Sequence, residues 1–144
     1  MKRDDKSLVK IIVDTNIWIS FLMNRTLKGL EYYIYNSHFL VVSCREQLSE
    51  LQEVLHRSKM KRYFSAQQID GIFKLLAEYA LCVKVQSKID ICRDAKDNYL
   101  LALAIDSNAN YLITGDKDLL SVEKIGTTQI VSFKDFEITL GMMN

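Results

Sequence analysis

Proline is absent from the 144 residues and glycine occurs only five times, so nothing in the chain reads as a flexible or polyproline linker. The length and the missing linker predict one domain spanning residues 1–144. The three cysteines, Cys44, Cys82 and Cys92, form no CxxC pair and have no histidine at ligand spacing. That speaks against a structural zinc site and predicts buried, reduced thiols in an intracellular protein. No apolar run approaches the roughly 18 residues of a membrane span. The N-terminal stretch is apolar for only three residues before Asp14, short of a signal-peptide core, so the expectation is a cytoplasmic protein without membrane contact. An excess of charge is missing too: 19 basic against 18 acidic residues leave +1. A binder working through bulk positive charge is thereby excluded, but a local basic rim is not. The sequence also lacks a GxxxxGK[ST] loop, a GxSxG elbow and an HExxH helix. His38 and His56, isolated in sequence, read as a turn residue and a helix-end residue.

What is present is core material, 49% apolar, enough for a domain of this size without disulfide staples. Short runs of consecutive apolar residues occur at Val9–Val13, Phe39–Ser43, Leu81–Val85, Tyr111–Thr114 and Gln129–Val131. Consecutive rather than alternating apolar positions imply strands covered on both faces, as in a parallel sheet. Helical patterns fall between them: Asn16–Leu22, Thr26–Asn36, Arg45–Arg57, Ser65–Ala80, Asp94–Asn108, Asp116–Val122, and Ser132–Leu140 with Ser132 as N-cap. The alternation predicts a three-layer α/β domain with a parallel sheet of about five strands. In such folds chemistry gathers beyond the carboxyl ends of the strands.

Two aspartates fall at those ends. Asp14 follows the first strand and Asp116 follows the fourth, and each could equally be the cap of the helix behind it. Asp94 and Asp97 open the next-to-last long helix, where the spacing allows Asp94 as N-cap and Asp97 as a dipole-stabilised N3 residue, though that structural job needs only one of them. The helix Arg45–Arg57 carries Glu46, Glu50 and Glu53. At about 100° per residue, Leu48, Leu51, Val54 and Leu55 define its buried stripe. Glu53 and Glu46 then point away, and Glu50 lies at the stripe's edge, able to turn inward or to remain solvated. Four carboxylates converging on one sheet edge would repel one another and raise their pKa values. A divalent cation removes that conflict, and hard oxygen ligands suit Mg²⁺ or Mn²⁺.

The blocks IIVDTNIWIS (from Ile11), SELQEVL (from Ser49) and RDAKDNYLLALAIDSNANYLITGDKDLL (from Arg93) resemble the PIN-domain family of metal-dependent ribonucleases. The likeness spans residues 9 to about 136 and is nearest to bacterial and archaeal toxin components of toxin–antitoxin pairs. The resemblance implies a Rossmann-like fold and hydrolysis of RNA by metal-activated water, using Mg²⁺ or Mn²⁺. It maps the family's acids onto Asp14, Glu50, Asp97 and Asp116, with Asp118 accessory and Asp94 competing with Asp97. By the same resemblance Asp14, Asp97 and Asp116 ligate metal, Glu50 holds a water or a second cation, and Asn16 and Thr114 orient the aspartates. It further implies a cognate antitoxin partner and pairing of the chain with a second copy.

The stretch from Arg57 to Tyr63 supplies Arg57, Lys59, Lys61 and Arg62 with no acid among them. It reads either as a solvated helix end or as an RNA contact, with Tyr63 and Phe64 available for base stacking. The helix Ser65–Ala80 shows a broad apolar face of Ile69, Ile72, Phe73, Leu75, Leu76 and Ala80. Core burial explains most of it, and a homodimer interface would explain the remainder. The competing function is a non-catalytic PIN-like module that binds RNA or protein. Haloacid-dehalogenase chemistry is disfavoured because Asn16 stands where its second aspartate belongs. A receiver domain is disfavoured because Gln86-Ser87-Lys88 follows the third strand.

Overall fold

The computed structural model describes residues 8–23 and 28–141. Strands and helices run in the order β1 (Val9–Val13), α1 (Thr15–Met23), α2 (Lys28–Tyr35), β2 (Phe39–Ser43), α3 (Arg45–Leu55), α4 (Ala66–Tyr79), β3 (Leu81–Cys82), α5 (Ala95–Ser107), β4 (Tyr111–Ile113), α6 (Lys117–Val122), β5 (Lys124–Ile125), β6 (Thr128–Val131) and α7 (Phe133–Gly141). A single 3-10 turn, Ser58–Met60, stands between α3 and α4. The expected start of the second helix at Thr26 lies outside the described residues.

The six strands are ordered β3-β2-β1-β4-β6-β5, parallel throughout except for the β5–β6 pair. Side chains leave a strand alternately on opposite faces, and here both faces are covered. Ile11, Val13, Val41 and Ile113 pack with Trp18, Leu30, Leu51 and Phe136 of α1, α2, α3 and α7. Ile12, Val42, Leu112 and Ile130 pack with Leu100, Leu101 and Leu103 of α5 and Leu119 of α6. This is the three-layer α/β architecture that the consecutive apolar runs predict.

Local sequence signals set the helix starts. Ser65 and Gln68 form a reciprocal capping box, with Ser65 Oγ accepting from the Gln68 amide and Gln68 Oε1 accepting from the Ser65 amide. Ser132 Oγ accepts from the Asp135 amide, as a cap of α7.

Several details differ from the sequence expectation. The third strand pairs only over Leu81–Cys82 instead of reaching Val85. Beyond it the chain is drawn toward α5, where the Asp106 carboxylate accepts the backbone amides of Gln86 and Ser87. The strand β5 has no counterpart among the apolar runs. It folds back on β6 through Gly126, whose φ of +57° suits a tight turn that favours glycine. The third helix stops at Leu55, short of the expected Arg57, so Lys59, Lys61 and Arg62 lie beyond the helix rather than at its end. Cys44 and Cys92 are buried as expected, but Cys82 is exposed on the short strand β3.

The strand order reverses at β1. Strands β2 and β3 extend to one side of it, while β4 and β6 extend to the other. The crevice beyond β1 and β4 is therefore the topological switch point, where open α/β sheets place their ligands.

Candidate active site

Val13 and Ile113 are register partners, and the Asp14 amide donates to the Ile113 carbonyl at 2.9 Å. Asp14 and Thr114 thus emerge side by side at the switch point. Thr114 Oγ1 donates to Asp14 Oδ2 at 2.7 Å and accepts the Asp116 amide at 3.0 Å. The Asn16 backbone amide donates to Asp14 Oδ1 at 3.2 Å, so Asn16 orients the aspartate through its backbone. The Asp14 carbonyl accepts the amides of Ile17 and Trp18. Asp14 therefore starts α1 while its carboxylate is fixed by Thr114.

The two aspartates before α5 divide their work. Asp94 is exposed and caps the helix, its carboxylate accepting the Lys96 amide at 3.0 Å. Asp97, only 7% exposed, is the N3 residue and faces inward. Asp116 is the N-cap of α6, with Oδ1 accepting the amides of Asp118 and Leu119. Asp97, Asp116 and Asp118 can each offer a carboxylate oxygen such that all three lie within 4.8 Å of one another. Asp118, accessory in the sequence reading, belongs to this tightest group. Asp14 stands outside it, coupled through its charge.

Electrostatics mark Asp97 and Asp14. Burial, then the neighbouring Asp116, Asp94, Asp14 and Asp118, push the Asp97 carboxyl up to about 6. Burial also raises Asp14. The hydrogen bonds from Thr114 and Asn16 oppose that rise, and the charges of Glu50 and Asp116 add to it. Carboxyls crowded together in this way repel one another, and a divalent cation would relieve that repulsion. An all-oxygen donor set fits a hard divalent ion.

On α3 the buried positions are Gln47, Leu51 and Leu55, with Leu48 and Val54 partly buried. Glu50 turns inward while Glu46 and Glu53 remain exposed. Glu50 Oε1 accepts from Tyr99 Oη at 2.7 Å, and Lys96 Nζ lies 3.5 Å from Oε2. Sequence reasoning missed Tyr99, Lys96 and Gln47. Lys96 and Tyr99 share one helix face at i, i+3 spacing, which was the available signal. Gln47, buried, accepts from Ser43 Oγ at 2.6 Å and donates to the Val13 carbonyl at 2.5 Å. It thereby ties α3 to the residue preceding Asp14.

A cleft of about 590 Å³ meets the site at Thr15, Asn16 and Glu50 and extends to Arg57, Lys59, Arg62 and Tyr63. Lys61 is not part of its lining, and neither are Asp97, Asp116 and Asp118. Phe64 is buried in the core and is not available for base stacking; Tyr63 is 41% exposed. The apolar face of α4 mostly serves the core: Ile69 and Leu76 are buried, and Ile72, Phe73, Leu75 and Ala80 pack against them. Among the described residues no helix is long and apolar enough to cross a membrane.

A parallel sheet with acids at its switch point, one after β1, one opening α5 and one after β4, defines a class, and comparison supplies its name. The PIN-domain profile matches residues 10–118, and the chain belongs to the PIN-domain family. An uncharacterized protein of Methanocaldococcus jannaschii, MJ1680, is 28% identical over 127 residues, covering 85% of this chain and 80% of that one. Two solved structures share the fold. One is VapBC2 from Rickettsia felis bound to a DNA fragment from their promoter, with a TM-score of 0.58 and 17% identity over 85% of this chain and 97% of that one. The other is PAE2754 from Pyrobaculum aerophilum, with a TM-score of 0.57 and 13% identity over 96% of this chain and 94% of that one.

Proposed function

We propose that the protein is an endoribonuclease that hydrolyses RNA phosphodiester bonds with Mg²⁺ or Mn²⁺ and acts as the toxin of a toxin–antitoxin pair. The observation that carries this reading is the buried Asp97, whose carboxylate shares a 4.8 Å neighbourhood with Asp116 and Asp118. Asp97, Asp116 and Asp14 would hold the cation, with Asp118 beside them. When bound, such an ion supplies charge neutralisation at the phosphate and a more acidic water.

The chain's own residues do the rest. Thr114 keeps Asp14 oriented. Glu50 would hold a water or a second ion. Arg57, Lys59 and Arg62 line the cleft that opens on Glu50 and attract the RNA backbone, and Tyr63 offers a ring to an unstacked base.

A cognate antitoxin is the proposed protein partner, supported by the fold shared with VapBC2. Pairing with a second copy belongs to the same reading, and light scattering at micromolar concentration tests it. An active species of about 17 kDa removes the pairing.

Incubating the full chain with a mixed RNA pool in Mn²⁺, with and without excess chelator, tests the activity. The reading expects cleavage that needs the metal and disappears in Asp97→Asn. Undiminished turnover in chelator sinks the metal mechanism.

A further inference from the structure

An acid at the edge of a helix's buried stripe needs something to keep it inward. For Glu50 that support comes from α5 and α1. Tyr99 Oη donates to Glu50 Oε1 at 2.7 Å, Thr15 Oγ1 lies 3.3 Å from Tyr99 Oη, and Lys96 Nζ stands 3.5 Å from Glu50 Oε2. Counting protons fixes the direction of the chain. A carboxylate only accepts, so the single phenolic proton of Tyr99 is committed to Glu50. The hydroxyl proton of Thr15 is then the one that points at Tyr99. The result is a one-way relay of hydrogen bonds, Thr15 to Tyr99 to Glu50, beginning one residue after Asp14.

The two holds on Glu50 are unequal. Lys96 is 59% exposed at its side chain, and a long, solvated ammonium at 3.5 Å contributes little. The Tyr99 contact is short, charge-assisted and made by a planar side chain with few rotamers. Glu50, Lys96 and Tyr99 also border a second cavity, about 600 Å³, with Arg45 and Glu53. The Tyr99 hydroxyl, bonded in turn to Thr15 of the first cleft, is the contact that ties Glu50 to α1. Tyr99 itself is partly buried, two residues from Asp97 on the same helix.

We infer that Tyr99 is a positioning residue whose hydroxyl holds the Glu50 carboxylate toward Asp14, so that α3 contributes an acid to the cation-binding edge. The inference rests on the metal-dependent reading above. It extends that reading to a residue that touches neither phosphate nor cation. Glu50 shares one cleft with Thr15 and Asn16, the two residues that follow Asp14, as this placement requires.

Mn²⁺ binding to the full chain, measured by electron paramagnetic resonance, separates the possibilities. Cleavage of the RNA pool is followed in parallel, for wild type, Tyr99→Phe, Glu50→Gln and the double variant. Tyr99→Phe is expected to unfold within a few degrees of wild type while binding Mn²⁺ about 10- to 100-fold more weakly, the range of a hydrogen bond to a charged group. In the Glu50→Gln background the same substitution should change Mn²⁺ affinity less than about twofold, because its only route of action is gone. A Tyr99→Phe protein that is less stable but binds Mn²⁺ within about twofold of wild type overturns the inference. So does an equal effect with and without Glu50. Should Tyr99→Phe fail to fold, Thr15→Val breaks the relay one step earlier. It is expected to weaken Mn²⁺ in the same direction by a few-fold, again only when Glu50 is present, and no change overturns the inference. A wild-type chain that binds no Mn²⁺ overturns both the metal reading and the role of Tyr99. Normal Mn²⁺ binding without RNA cleavage removes the nuclease reading, while the binding data still decide on Tyr99.

Discussion

Thr114 Oγ1 donates to Asp14 Oδ2 at 2.7 Å across a separation of 100 residues, joining the carboxyl ends of β1 and β4 at the point where the strand order reverses. The same oxygen accepts the Asp116 amide, so one hydroxyl sets the positions of two acids. Thr114→Val should therefore remove a donor from a buried carboxylate and an acceptor from a backbone amide. We expect a loss of about 1–3 kcal/mol, read as a lower thermal midpoint at neutral pH, with Thr114→Ser close to wild type. An unchanged midpoint for the valine variant contradicts this assignment.

Asp97 makes stability depend on pH. It binds its proton more tightly in the folded chain, at about 6 against 3.8, so its favourable contribution is complete below about pH 4 and is lost as the pH rises through 6. In chelator at pH 7–8, Asp97→Asn should melt above wild type by a few degrees. That advantage should shrink as the pH falls toward 4. A gain of equal size at both pH values would mean that charge is not its origin.

Bound cation should reverse that penalty. Millimolar Mn²⁺ is expected to raise the wild-type midpoint by several degrees through preferential binding to the folded state. The rise should largely vanish in Asp97→Asn and in Asp116→Asn. Differential scanning fluorimetry with a chelator control provides the measurement, and equal shifts in all three proteins would place the ion elsewhere.

The helix α3 permits an internal comparison. Glu50→Gln should cost most of the RNA cleavage, about 100-fold or more. Glu46→Gln and Glu53→Gln, both exposed, should stay within about twofold. Comparable losses at all three positions would detach activity from the inward turn of Glu50.

The cleft makes a prediction about salt. Neutralising Arg57, Lys59 and Arg62 together should weaken binding of a single-stranded RNA. Its salt dependence should flatten by about 0.7 for each phosphate that no longer meets a cation. Lys61→Gln, outside the cleft lining, serves as the comparison. Filter binding across a salt series distinguishes the two, and identical slopes would relocate the RNA path.

Most of the fold was legible because consecutive apolar residues, in short runs rich in Val, Ile and aromatics, imply strands covered on both faces. That is how Ile11 and Ile12 come to lie on opposite faces of the sheet, both fully buried. The two-residue strand β5 was not legible, since its pairing depends on a turn conformation at Gly126 rather than on any pattern of its own. At the candidate site, strand ends revealed Asp14 and Asp116, and helix geometry singled out Glu50. The spacing already offered Asp94 as the cap and Asp97 as the N3 residue, and the exposed Asp94 does take the cap. Gln47 and Tyr99 stayed hidden because a glutamine in a helix and a tyrosine beside apolar residues look ordinary until their partners, Val13 and Glu50, are located in space.

From Asp94 to Tyr99, nearly every position already carries a duty: the cap at Asp94, the cation at Lys96, the inward acid at Asp97 and the hydroxyl at Tyr99. Between the last two, the Asn98 side chain clamps the backbone of Ile91 and Cys92. One residue inserted within this stretch would turn everything after it by about 100° around the helix axis, sending acid, clamp and hydroxyl to wrong faces together. Substitutions here can be compensated singly, but a change in length cannot. Natural or engineered variation in chain length must therefore be accommodated elsewhere, in segments such as the Gly126 turn, while these six positions remain contiguous.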